Sequence, residues 1–243
     1  MPASLSAIAA PAEAPRLGFY GKVPMRGDFL SRRLPRDFID PWDQWLQEAI
    51  AASREQLGDD WLPAYLTAPI WRFVLGAGVC GGAAAIGVMM PSVDRVGRYF
   101  PLALALPLAQ CRAPFRMMAA AQSWFAEVET LALAALDEAA DLDGFEREVE
   151  ALGAPAESTA EEMPLRLKDG AAFVEFDTAA PGEGAAALID GILAGGGGRW
   201  TLWATTGSER MRPGMMAAMG LPPKEGFAAF LDGQWERWGW TTA

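Results

Sequence analysis

Apolar residues recur along the chain at two spacings, and these spacings predict strands interleaved with helices. Leu17–Val23 is a short apolar run closed by a proline, which is typical of a strand. After it, Asp40 and Pro41 predict the start of a helix, and Gly58 predicts its end. Six apolar residues recur at helical spacing between these limits, so the helix presents one buried face: Trp42, Trp45, Leu46, Ala49, Ile50 and Leu57.

Three further apolar runs predict strands: Trp71–Leu75, Ala84–Met90 and Tyr99–Leu106. Because the links between them are too short for a crossover helix, we expect these strands to pair antiparallel. A long amphipathic helix is predicted to cover this sheet, since apolar residues follow at steps of three and four: Met118, Ala121, Phe125, Val128, Ala132 and Leu136.

The second half of the chain predicts shorter elements. Phe145–Leu152 indicates an acidic helix, and Gly153–Met163 indicates a polar linker. The rest is a helix, a turn, a strand and a final helix: Ala185–Leu193, Gly195–Gly198, Arg199–Thr205 and Phe227–Leu231. Strands interleaved with one-sided helices predict an α/β fold, namely a three-layer α/β/α sandwich around a mixed, partly antiparallel sheet.

Composition predicts one large folded unit. The chain has 243 residues, 51% of them hydrophobic, with ten Trp and twelve Phe to fill a core. We expect residues 1–15 to be a disordered tail and residues 16–243 to form a single domain. No apolar run approaches the roughly 20 residues that span a bilayer, so no membrane insertion is expected. Cys80 and Cys111 lack metal-ligand spacing and predict free thiols in a reducing, cytoplasmic compartment.

Charge is unevenly distributed along the chain, whose formal net charge is −11. Arg16 to Arg112 holds eleven basic and nine acidic residues, whereas Glu127 to Glu183 holds sixteen acidic and three basic residues. This pattern argues against general affinity for nucleic acid or anionic lipid. The acidic segment is either a solvated face, the commoner case, or a docking surface. Since the chain has no histidine, triads that use imidazole and His-ligated zinc are excluded.

Two loops concentrate the candidate functional residues. The first follows the first strand, and the second joins the runs that begin at Ala84 and Tyr99. Their candidate binding residues are Lys22, Arg26, Asp28, Arg32, Asp94, Arg95 and Arg98. If the loops lie side by side, Lys22, Arg26, Arg95 and Arg98 form a cationic cluster able to hold a phosphate or a carboxylate.

Other interpretations of these residues remain open. Each aspartate can instead pair with a nearby arginine and cap its own loop, which is the commoner arrangement. Asp28 with Asp94 is a weak signal for acid–base catalysis, and we expect no enzyme activity. We also expect no cofactor and no metal. The segment Met211–Met219 suits either core packing or a partner groove. Three aromatic residues near the end are candidates for a contact surface: Trp235, Trp238 and Trp240.

The motifs resemble one family in their order and spacing. They are GFYGKVPMRGDFLSRRLP, then Phe38 and WDQWL, then WRFVLGAGVCG, then GVMMPSVDRVGRYFPLALA. Together they resemble the TagF/ImpM family of type VI secretion system-associated proteins, closely from Gly18 to Leu106. Later segments are similar to its less distinctive second half: TLWATTG, GLPP and Phe227.

The resemblance implies a cytoplasmic accessory protein of bacterial type VI secretion that represses the machine after translation by protein–protein binding. It also implies a link to a forkhead-associated scaffold protein, beside control by threonine phosphorylation. Some relatives carry a fused protein phosphatase domain, for which this chain is too short. No catalytic residues carry over from the family. The alternative function is a module, or an enzyme, that binds a small ligand or an anion through the two loops.

Overall fold

A computed structural model describes residues 16–137, 139–156, 165–168, 171–174, 181–195 and 199–241. The predicted tail of residues 1–15 lies outside the described residues, as do 157–163 of the predicted linker and 196–198 of the predicted turn. Single-domain organisation stays a prediction.

The centre of the fold is a seven-stranded sheet with the strand order β2-β1-β5-β4-β3-β8-β9. A separate two-stranded hairpin consists of β6 and β7. The strands are β1 Gly18–Gly21, β2 Leu30–Arg32, β3 Trp71–Leu75, β4 Ala84–Met90, β5 Leu102–Leu108, β6 Leu165–Lys168, β7 Ala171–Val174, β8 Trp200–Thr205 and β9 Gly214–Met219. Every pairing between these strands is antiparallel. The predicted α/β class and antiparallel pairing are confirmed, whereas the expected parallel part of a mixed sheet is not found among the described strands.

Seven α-helices lie in the described part of the chain. They are α1 Arg36–Leu57, α2 Trp61–Leu66, α3 Pro114–Ala120, α4 Gln122–Ala134, α5 Leu142–Ala151, α6 Pro181–Gly195 and α7 Ala228–Asp232. The predicted start of α1 at Asp40 and Pro41 is wrong, because the helix begins at Arg36, five residues before Pro41, and contains Pro41. Phe38 and Ile39 are buried there, so packing overrides the local preference for ending a helix before proline.

The long helix predicted over residues 118–136 is two helices that meet at Ala121. At that junction the Gln122 side-chain amide donates to the Met118 carbonyl over 2.6 Å. This is the acceptor that the backbone N–H of residue 122 would use in a continuous helix, so the side chain replaces one helical bond. The Gln122 oxygen in turn accepts from Arg72 of β3 over 2.6 Å, which ties the junction to the sheet.

Helices pack against both faces of the sheet, because side chains alternate along each strand. On one face Trp42 of α1 stacks on Trp203 of β8 at 6.0 Å between ring centroids, and Phe73 of β3 lies 4.9 Å from Trp42. On the other face Phe125 of α4 is buried with Val88 of β4. Alternate residues of β8, namely Trp200, Leu202 and Ala204, pack in that second core.

The last residues return to the first core. Trp235, Trp238 and Trp240 are half-buried against it, and the Trp238 indole donates to Asp232 over 2.8 Å. Cys80 and Cys111 are both free thiols. Within the described residues, no helix combines the length and the apolar character that crossing a membrane requires.

Candidate functional site

The two loops singled out from the sequence lie side by side at the ends of β1, β4 and β5. We define the paired loops as residues 22–29 and 91–101. Their close approach depends on Gly21, whose φ is 138° and where a Cβ would collide with the Pro101 carbonyl oxygen. The Arg95 N–H donates to the Arg26 carbonyl over 3.0 Å, which holds the loops edge to edge. The sequence left open whether the two loops lie side by side, and the structure shows that they do.

Asp94 is the centre of the paired loops. Its carboxylate is buried and accepts hydrogen bonds at both oxygens. Oδ2 accepts from the Lys22 ammonium and, over 2.7 Å, from the Arg98 guanidinium. Oδ1 accepts from the backbone N–H groups of Val96 and Arg98 at 3.0 and 2.9 Å. These four donors occupy the roughly four lone-pair sites of a carboxylate.

The electrostatics of Asp94 follow from these contacts. Burial by itself raises the pKa of the Asp94 carboxyl, but the hydrogen bonds from Lys22, Arg98 and Val96 together hold that pKa well below its ordinary value. Asp94 is consequently ionised at neutral pH and balances the charge of the buried Lys22. The trio of Lys22, Asp94 and Arg98 is an internal brace, which we call the loop brace.

Further contacts fix the loop brace to the body of the fold. The Ser92 hydroxyl donates to the Lys22 carbonyl over 2.7 Å. The Tyr65 hydroxyl of α2 donates to the Ser92 carbonyl over 2.9 Å and accepts from the Ser92 N–H over 3.0 Å. The Arg98 guanidinium also donates to the Gly27 carbonyl of the first loop. Sequence reasoning missed Tyr65 and Ser92, because it selected charged loop residues and both of these are uncharged. Tyr65 also lies outside the loops, in α2.

Four of the seven predicted binding residues fall outside the loop brace, and Arg32 and Asp28 are two of them. Arg32 turns towards α5 and pairs with Glu146 over 2.8 Å, so it does not join the loop cluster. Asp28 is exposed and, within the described residues, has no ion-pair partner. The predicted pairing with a nearby arginine and loop capping is thus found for Asp94 but not for Asp28.

The remaining predicted cations lie at the exposed end of the loops. Arg26 and Arg95 are exposed, and neither has an ion-pair partner in the part of the chain that the structure describes. Two apolar residues, Phe29 and Val96, are exposed beside them to 46% and 65%. We call Arg26, Asp28, Phe29, Arg95 and Val96 the loop tip. No sequence signal distinguished Phe29 and Val96, because apolar residues occur singly on protein surfaces as well as in cores.

Aromatic packing supports the loop tip from below. The Phe29 ring meets Phe100 edge to face at 4.8 Å between centroids and stacks on Tyr20 at 5.9 Å. The Lys22 ammonium lies 4.7 Å from the centre of the Phe29 ring. Phe29 is therefore held in place although nearly half of it faces solvent.

The exposed charged and apolar side chains of the loop tip are suited to binding the surface of another molecule. Lys22 and Arg98 are already bound to the one carboxylate of Asp94, so Arg26 and Arg95 are the cations of the predicted cluster that are not held by it. In the described residues no group of three or more Cys, Asp or Glu side chains has the arrangement of a metal site.

Comparison with known proteins places the chain in a family. Residues 18–152 match the model of the TagF N-terminal domain, described as type VI secretion system-associated. The chain is also similar to PA0076 from Pseudomonas aeruginosa PAO1, a crystal structure at 2.05 Å resolution, with 40% sequence identity and a TM-score of 0.76. That match covers 90% of this chain and 94% of the other. Comparison with curated proteins gives no significant match. The resemblance inferred from the sequence motifs is confirmed, and the chain belongs to the TagF family of type VI secretion system-associated proteins.

Proposed function

We propose that this protein is a cytoplasmic accessory protein that represses a type VI secretion system after translation, by binding one of its components through the loop tip. Membership of the TagF family supports the link to secretion. The observation that carries the binding role is the loop brace, which fixes the paired loops while Phe29 and Val96 stay exposed. Beside them lie Arg26 and Arg95, for which the described part of the chain offers no ion-pair partner. Rigid aromatic and arginine side chains are the groups most enriched at the centres of protein interfaces.

The partner to test first is the forkhead-associated scaffold protein of the same secretion system. In the double variant Arg26→Glu with Arg95→Glu we expect capture of the purified scaffold protein to fall about tenfold or more, because both charges of the loop tip are reversed. Surface plasmon resonance with immobilised scaffold protein measures this affinity.

A matched control reverses two exposed arginines elsewhere, Arg36→Glu with Arg147→Glu, and should leave the affinity unchanged. Equal capture by the loop-tip variant and the control would remove the loop tip as the binding surface. Secretion assayed in cells that carry each variant tests repression itself, which should be lost only with the loop-tip variant.

We further propose that the protein acts without catalysing a reaction. Asp94 has its lone pairs engaged by four donors, so no position is left at which it could accept a proton from a substrate. Turnover of any small substrate that is abolished by Asp28→Asn or Asp94→Asn would contradict this. An anion-binding module using Arg26 and Arg95 is the alternative, and saturable binding of inorganic phosphate that disappears in the loop-tip variant would favour it.

A further inference from the structure

The strand β9 ends the seven-stranded sheet, and no described strand pairs with its outer edge. Two bonds show which of its residues point outward. The Gly220 N–H donates to the Arg199 carbonyl over 2.5 Å, and the Gly76 N–H donates to the Trp200 carbonyl over 2.8 Å. Because antiparallel hydrogen bonding alternates, residues 214, 216 and 218 bond to β8. Met215, Ala217 and Met219 therefore direct their N–H and C=O groups away from the sheet.

This edge lacks the features that usually protect an exposed strand. No charged residue and no proline lies between Gly214 and Met219. The side chains of Met215 and Met219 are exposed to 53% and 64%. Natural edge strands are commonly blocked by inward charges, proline or bulges, so an open and uncharged edge is able to pair with another strand. Methionine adapts its shape to different apolar partners.

Both ends of the open edge are cationic. Arg210 and Arg212 lie just before β9, and Arg199 stands opposite Gly220 just after it. All three arginines are exposed. None of them has an ion-pair partner among the residues that the structure describes. The only acid between residues 199 and 220 is Glu209. The rest of the protein is strongly acidic, since the formal net charge of the chain is −11.

The charge pattern decides which strand fits this edge. Antiparallel pairing of β9 with β9 of a second copy would bring the Arg210 and Arg212 end of each strand next to the Arg199 end of the other. Like charges placed opposite one another across a strand pair are destabilising, so self-pairing is disfavoured. A strand with an apolar centre and carboxylates at both ends would instead place opposite charges together at each end.

We propose that the outer edge of β9 binds an extended peptide with an apolar centre and acidic ends, which adds to the sheet as an eighth strand. This site goes beyond the proposed function, because β9 forms one edge of the sheet and is separated by β3 and β8 from the strands that carry the paired loops, β1, β4 and β5. The protein would thereby hold two different segments at once, one at the loop tip and one at β9.

The test uses the full chain and a displayed library of random nine-residue peptides. We expect selected peptides to be enriched in Asp and Glu at both ends and in β-branched residues at the centre. The synthetic peptide of the most frequent selected sequence should then bind about tenfold or more weakly to Ala217→Pro, measured by fluorescence anisotropy. Proline at residue 217 removes an outward N–H and leaves the bonds to β8 intact, which is where an edge strand tolerates it.

Ala217→Thr is the matched control, because it keeps the N–H and should retain binding. Should Ala217→Pro fail to fold, Arg210→Glu with Arg212→Glu serves as the second variant and should lose the acidic-ended peptides. Retained binding in both variants, or a selection without acidic ends, would overturn the proposal. So would a dimer of the wild-type protein that Ala217→Pro dissociates, since the occupant would then be a second copy. The loop-tip variant should bind the peptide normally, which separates this site from the proposed function.

Discussion

At the scale of single residues, Asp94 determines which cations of the paired loops remain free. The sequence places four cations and two aspartates in these loops but does not say which of them pair. In the structure one buried carboxylate engages Lys22 and Arg98, and Arg26 and Arg95 are left at the surface. A cluster that could have been a phosphate site is thereby divided into a structural part and an exposed part.

Replacing Asp94 by asparagine should lower the stability of the protein in a pH-dependent way. The pKa of Asp94 is depressed in the folded state, so its contribution to stability is fully present above the ordinary carboxyl pKa of about 4. That contribution is lost as the pH falls further, towards the pKa of the folded state. The difference in free energy of unfolding between wild type and Asp94→Asn should therefore be larger at pH 7 than at pH 3, as measured by urea denaturation.

The matched control for this prediction is Asp28→Asn, because Asp28 belongs to the same pair of loops but is exposed and unpaired among the described residues. We expect it to change stability by less than about 0.5 kcal/mol. A pH-independent difference for Asp94→Asn would show that its charge is not what stabilises the loops.

At the scale of elements, buried polar contacts fix the position of a helix along the sheet. Apolar periodicity determines only which face of the helix is buried. Arg72 of β3 is buried and makes two bonds to Glu129 of α4, at 2.6 and 2.8 Å. Its third contact is to Gln122 at the junction of α3 and α4. Gln122, where the predicted long helix is interrupted, thus also helps to attach α4 to the sheet.

Glu129→Ala should destabilise the protein by roughly 3 kcal/mol, because it leaves the Arg72 guanidinium buried without its carboxylate. The exposed Glu127 on the same helix offers the control, and Glu127→Ala should cost less than about 0.5 kcal/mol. Urea denaturation of both variants at neutral pH gives the comparison. Equal stability of the two variants would mean that the buried pair contributes little.

At the scale of the whole molecule, the sheet joins distant parts of the chain. The family match covers residues 18–152, yet β3 from that region pairs on one side with β8, which lies well beyond it. Trp203 of β8 packs against Trp42 and Phe73 in the first core. The region before residue 152 therefore depends on the later strands to cover its sheet.

Truncation tests this dependence and, with it, the expected single domain. A chain that ends at residue 156 should expose the edge of β3 and the aromatic residues beneath it, so we expect it to self-associate and to bind hydrophobic dyes. Size-exclusion chromatography and dye fluorescence measure both effects. A monomeric fragment with a cooperative unfolding transition would instead show that the first region is an independent domain.

Periodicity in the sequence was sufficient for most elements because burial on one face imposes a repeat of two or of about 3.6 residues. It predicted β3, β4 and β8 and the helical region of α1, and the loop motifs indicated the family. Periodicity missed β2 and β9, since both are edge strands whose exposed side chains carry no apolar alternation. For Met211–Met219 it left core packing and a partner groove open: Met211 is buried in the first core, whereas Met215 and Met219 are exposed on β9.

The sequence by itself determined the α/β class, the antiparallel pairing of β3, β4 and β5 and the two charged loops at the strand ends. Only the tertiary structure decided the pairing of charges, because Lys22 and Asp94 are 72 residues apart and meet only when β1 and β5 pair. For the same reason only the tertiary structure could show that no described strand pairs with the outer edge of β9. Local pattern records which side chains avoid water, whereas the partner of each polar group depends on which distant strands become neighbours.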